Sequence, residues 1–139
     1  MNGRKCDLPV LVVDGDLFSD FGGFAREFSK LLDDHVWKES LDAFNDILRG
    51  GFGTPERGWI FRWLNSDRSR EALGYEATLK RLERMLVTCH PTNREHVQAR
   101  IDSARRAEGP TLFDEIVEII QIHGPGGSES ADNVILELR

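Results

Sequence analysis

No stretch of this chain approaches the roughly twenty consecutive apolar residues that a membrane-spanning helix needs. The opening residues, MNGRKCDLPV, lack the apolar run and small-residue cleavage pattern of a secretion signal. Both absences point to a cytoplasmic protein without a membrane partner. Cysteine is scarce as well. Cys6 and Cys89 form no CxxC pair, which excludes a disulfide framework and a four-cysteine zinc site. Both thiols read as structural or incidental. Cys89, His90 and His96 match no zinc spacing, and His35 and His123 stand alone, so no metal and no cofactor is expected. His123, next to Gly124, suits a helix C-terminus, where a cation is favoured. No G-x-S-x-G, Walker or G-x-G-x-x-G pattern is present, and residues 50–53 lack the Lys-Ser/Thr of a phosphate loop. Positive charge is in deficit: 18 Lys and Arg stand against 24 Asp and Glu, a net charge of -6. That balance disfavours nucleic acid as the ligand. It suits a basic protein partner, because complementary charge steers association.

What is present is a globular composition, 40% hydrophobic and 30% charged over 139 residues. Such a length forms one domain, residues 1–139, that buries its own core without staples. Residues 1–8 are polar and expected to be flexible. Residues 9–14, PVLVVD, form a continuous β-branched run, the pattern of a strand buried on both faces or set in a parallel sheet. Phe18, Phe21, Phe24, Phe28, Leu31 and Leu32 then recur at helical spacing, with Gly22 and Gly23 delaying the start to about Phe21. Residues 59–64, WIFRWL, read as a strand with Trp59, Phe61 and Trp63 on one core-facing side. Residues 66–87 are helical, with a split at Gly74, and Pro91 ends the run.

TNRE, from Thr92 to Glu95, carries the spacing of a capping box and predicts a helix to about Ala107. Its stripe of Val97, Ile101 and Ala104 is thin. Its arginines, Arg94, Arg100, Arg105 and Arg106, read as a solvated basic face, or as one that covers the open sheet or a second partner. After Pro110 and Thr111, apolar residues from Leu112 to Ile122 surround a deeply buried helix. Residues 134–138, VILEL, make a third strand. Strands alternating with helical crossovers favour a parallel sheet, hence a small three-stranded α/β fold packed with helices.

Two stretches carry candidate chemistry. VVDGDLF, with Asp14 and Asp16 at a strand end, resembles the first motif of the haloacid-dehalogenase-like phosphatases. That resemblance implies a nucleophilic Asp14, an acid/base Asp16 and a bound magnesium. Asp14-Gly15 is also a plain turn signal. The second stretch is residues 36–51, VWKESLDAFNDILRGG. Ser40 is an N-cap and Gly50 a helix-terminating glycine. Leu41, Phe44, Ile47 and Leu48 share one side of the helix, with Asp42 and Asp46 almost opposite them. Two like charges at i and i+4 repel by a few tenths of a kcal/mol, so local stability does not select them. Taken alone, the pair reads as an ordinary solvated face.

LDAFNDILRG, residues 41–50, resembles the barstar family, inhibitors of barnase-type bacterial ribonucleases. VVDGD, WIFRW and NVILEL are similar, in order, to that family's first strand and turn, second strand and last strand. Together the similar pieces span about two-thirds of the chain. The resemblance implies a three-stranded parallel sheet and a non-enzymatic, monomeric protein. Its second helix and the loop before it would plug the active site of a basic ribonuclease or related toxin. Asp42 and Asp46 match the family's binding aspartates, and Trp37 matches a loop aromatic that anchors the contact. Glu39 and Asn45 complete the expected contact set, and Glu118 is the counterpart of a further family acid on the last helix. Lys38 stands where the family carries Gly, Val36 replaces a second aromatic, and an extra helix occupies residues 91–108. Two alternatives remain: the magnesium-dependent phosphohydrolase using Asp14 and Asp16, and an interaction module with a changed partner.

Overall fold

The computed structural model describes residues 8–139. Cys6 and residues 1–7 of the expected flexible N-terminus lie outside the described residues. Three strands, β1 (Val10–Asp14), β2 (Trp59–Leu64) and β3 (Val134–Leu138), form a parallel sheet in the order β1-β2-β3. Six α-helices join them: α1 (Phe21–Ser29) and α2 (Leu41–Leu48) before β2, then α3 (Ser66–Ala72), α4 (Tyr75–Thr88), α5 (Arg94–Arg105) and α6 (Leu112–Ile122) before β3. The expected α/β architecture is therefore present.

Strand order explains where the core sits. Both crossovers step in the same direction across the sheet, and right-handed crossovers that do so lie on one face. That face carries Trp59, Phe61 and Trp63, whose rings follow one another at 5.2 and 6.0 Å. Phe24 stacks on Trp63 at 5.0 Å, Phe28 on Phe61 at 5.9 Å, and Phe113 of α6 tilts against Trp63 at 5.1 Å. The Trp63 indole N–H donates to the buried Ser69 Oγ at 2.9 Å. The other face stays partly open. Val10 and Val12 are 38% and 43% exposed, and Arg62 pairs with Glu137 across neighbouring strands there at 2.9 Å. The β1 run is thus buried on one face only, since no third layer covers the sheet's far side among the described residues.

Gly74 separates α3 from α4, as the sequence predicts. The capping box expected at Thr92 does not form. Pro91 opens a 3-10 turn, Pro91–Asn93, and places Thr92 inside it, where its backbone N–H and hydroxyl both meet His90 Nδ1. The box sits instead at Thr111 and Asp114, which exchange hydrogen bonds of 3.2 and 3.0 Å at the start of α6. α5 does not cover the sheet. Val97, Ile101 and Ala104 close a second small core with Leu82 of α4. Its basic side chains are largely matched by acids: Arg100 with Glu115 at 3.2 Å, Arg105 with Glu83 at 3.6 Å, Arg106 with Glu108 at 2.8 Å. Cys89 is a half-buried free thiol at the end of α4.

Candidate functional site

α2 is built as its sequence requires. Ser40 Oγ accepts from the Ala43 N–H at 3.2 Å, satisfying one of the free donors of the first turn. Gly50, with φ +112°, leaves the helix in a conformation that side chains resist, and its N–H returns to Ile47 O at 3.0 Å. Phe44, Ile47 and Leu48 are buried in the main core. Asp42 and Asp46 are consequently exposed on the outer side. A face locked by packing thus presents two carboxylates in a fixed direction.

The loop before α2 departs from expectation. Trp37 is 3% exposed and belongs to the core. Its ring meets Phe21, Phe24 and Phe28 edge-on at 5.7, 5.9 and 5.8 Å and tilts on Phe44 at 5.0 Å. The indole N–H donates to Ser40 O at 2.7 Å, and the backbone N–H donates to Ser29 Oγ at 2.9 Å. These contacts make the ring part of the core, with little of it open to a partner. The Phe21, Phe24 and Phe28 stripe of α1 needs a cover, and Trp37 supplies it. Val36, 68% exposed, is the loop's outward apolar residue. Lys38 beside it is exposed, and Glu39 turns through a positive φ of +65°.

The carboxylates do not form a uniformly negative surface. Asp46 Oδ1 lies 3.1 Å from Arg49 Nη1. Arg49 also grips Glu129 with two hydrogen bonds, 2.8 and 3.1 Å long. Those bonds hold the Glu129 carboxyl below its usual range. Glu39 lies 3.7 Å from Arg84 of α4. Among the described residues, Asp42 has no hydrogen bond or ion pair. A cleft of about 490 Å³ runs between α2 and α4, with Glu39 and Asp42 facing Arg81 and Arg84. A larger one, about 770 Å³, lies between α1 and the loop, lined in part by Arg26, Lys30, Val36 and Lys38.

Asn45 is half-buried and faces inward, its Oδ1 2.7 Å from Nε2 of the buried His123. Asn45 therefore ties α2 to the end of α6, where His123 is the C-cap residue. Glu118 is exposed elsewhere on α6, in a cleft beside β3 of about 550 Å³. Of the expected contact set, Asp42, Asp46 and the half-buried Glu39 remain accessible around α2. Trp37 is withdrawn, and Asn45 is engaged internally. The sequence reading missed Arg49, although its place three residues after Asp46 on a helix is a legible pairing signal. It also missed Glu129 and Asp132, which no local pattern connects to α2.

Asp14 and Asp16 lie at the C-terminal edge of the sheet, the usual ligand side of parallel sheets. Asp14 Oδ1 accepts from Asn65 Nδ2 at 2.8 Å and from the Asp16 N–H at 2.9 Å. Both bonds favour the ionised carboxyl and lower its pKa, the Asn65 bond most. Asp16 pairs with Arg68 at 3.2 Å. Asp14 thus caps the 3-10 turn Gly15–Leu17, which is the turn reading of the Asp-Gly step. No helix among the described residues is long and apolar enough to cross a membrane. No protein-family model, no curated protein and no solved structure matches this chain.

Proposed function

We propose that this protein is a barstar-like inhibitor that binds a basic ribonuclease or related toxin with the outer face of α2 and blocks its active site. The observation that carries the reading is the exposed pair Asp42 and Asp46 on a helix whose opposite side is locked into the core. The three-stranded parallel sheet with two helices between its first two strands supports it further. Asp42 is exposed, and its side chain makes no hydrogen bond or ion pair among the described residues although Arg81 lies across the cleft, so it is the carboxylate available to a cationic group of the target. Asp46 is shared with Arg49, which restricts its rotamers and reduces its local negative charge. Val36 takes over the apolar contact that the family resemblance gives to Trp37. Glu39 contributes at the rim, where it is shared with Arg84. Opposite net charge accelerates encounter, and salt slows it. The phosphohydrolase alternative gains no support from Asp14 and Asp16, whose carboxylates serve a turn and a surface pair.

The test measures inhibition of a barnase-type ribonuclease by the full chain, with affinities at low and high salt. Wild type is expected to inhibit, more weakly as salt rises, and the Asp42→Ala, Asp46→Ala double variant to lose inhibition while its melting temperature holds. Equal affinity in the double variant moves the site off α2. Absence of binding to this and other basic ribonucleases overturns the reading.

A further inference from the structure

The end of α6 carries a cluster that the partner-binding reading leaves unused. His123 is fully buried, and its two ring nitrogens face oxygens from two different elements. Nε2 lies 2.7 Å from Asn45 Oδ1 on α2, and Nδ1 lies 2.7 Å from Asp132 Oδ2 in the 3-10 turn Ser130–Asp132. Glu129 adjoins them. One ligating atom from each of His123, Glu129 and Asp132 lies within 4.8 Å of the other two. We propose that these three residues bind a divalent transition-metal ion, with Asn45 as the outer partner that orients the imidazole.

Four features support the assignment. One imidazole with two carboxylates is a donor set suited to Zn²⁺, Co²⁺ or Mn²⁺. Ligating histidines commonly donate their second N–H to a carbonyl or carboxylate oxygen. Asn45 Oδ1 is placed to accept it from Nε2, which turns Nδ1 toward the two acids. Nδ1 lies beside a carboxylate oxygen, so an ion bound at Nδ1 takes the place of any proton between it and Asp132. That proton leaves to solvent as the ion–nitrogen bond forms. Finally, the Asp132 and Glu129 side chains are 23% and 33% exposed, which leaves an entry path and room for waters to complete the coordination shell.

Two adjustments are required. In a tetrahedral shell, ligand bonds of about 2.0–2.2 Å set neighbouring donor atoms about 3.3–3.6 Å apart, so Asp132 retreats from its 2.7 Å contact with Nδ1 by about 0.6–0.9 Å. Its position in a short turn beyond Gly126 and Gly127 permits that shift. Arg49 must also release one Glu129 oxygen, which closes in on the other two donors from a spread of up to 4.8 Å. It already lies 3.1 Å from Asp46, which receives it.

The experiment is calorimetric titration of the full chain with Zn²⁺, with Co²⁺ absorption as a second probe of the ligand set. The variants are Glu129→Gln and Asp132→Asn, both half-exposed positions, with a His90→Gln, His96→Gln double variant as the control for exposed histidines. One Zn²⁺ per chain is expected, bound at least about tenfold more weakly in each carboxylate variant and unchanged in the control. The His123 ring ¹⁵N signals are expected to move during the wild-type titration. Absence of Zn²⁺ binding overturns the proposal and leaves His123 and Asp132 a structural pair. Affinity that survives both carboxylate substitutions, or that is lost in the control, overturns it equally.

Discussion

Replacing Trp37 with alanine separates a core role from an interface role, because the two predict opposite patterns of damage. The ring is 3% exposed and touches four phenylalanines, so its removal opens a cavity between α1 and α2. Deleting a buried Trp side chain costs about 3–5 kcal/mol. The lost indole bond to Ser40 O adds little, because that carbonyl also accepts from the Phe44 N–H at 2.9 Å and is not orphaned. With an m-value of about 2 kcal/mol per molar urea, the unfolding midpoint falls by about 1.5–2.5 M. That is a large part of the roughly 5–15 kcal/mol that holds a domain folded. Trp37→Phe keeps a ring against Phe44 and forfeits bulk and one hydrogen bond, a loss of about 1–2 kcal/mol or less than about 1 M urea. Urea titration followed by far-UV circular dichroism measures both variants. A Trp37→Ala midpoint within about 0.3 M of wild type, joined to lost partner binding, would place the ring at the interface and refute its assignment to the core.

Further outcomes follow from single contacts. Ser69→Ala strands the buried Trp63 indole N–H and is expected to cost about 1–3 kcal/mol, read from the same titration; an unchanged midpoint means the donor finds another acceptor. Ser40→Ala removes the α2 cap and is expected to cost about 1 kcal/mol, with Ser40→Asp recovering most of it; equal loss in both variants counts against capping. Burial raises the Glu27 carboxyl pKa, but hydrogen bonds and charge from Lys30 and Arg26 outweigh it, leaving the pKa below 4.5. Its contribution is therefore present above about pH 4.5 and lost as pH falls through the depressed folded value. Thermal unfolding of Glu27→Gln from pH 6 to 2 should show a shallower acid loss than wild type, and parallel curves would contradict the pairing.

The regular elements were legible because their signals are local. Alternation of Trp59, Phe61 and Trp63 names a strand face, and the spacing of Phe21, Phe24 and Phe28 names a helix face. Neither depends on what lies across the core. Local signals misled where two motifs competed. Thr92 has the spacing of a capping box, but Pro91 places it in a 3-10 turn, and the box forms at Thr111, where the chain enters α6 extended. The β1 run is apolar on both faces in sequence, yet Val10 and Val12 remain partly open. Coverage depends on which side the crossovers take, and that follows from strand order.

The sequence by itself determined α2: its cap and glycine stop follow from the chemistry of Ser40 and Gly50, and its buried Phe44, Ile47 and Leu48 and the outward aim of Asp42 and Asp46 follow from 3.6-residue periodicity. Tertiary structure alone decided what surrounds those acids. It turned Trp37 inward to cover the α1 phenylalanines. It brought Glu129 to Arg49 across 80 residues and His123 to Asn45 across 78. Periodicity reports which side of a helix avoids water. It carries no information about where a loop side chain turns, or which distant charge the packed chain sets beside it.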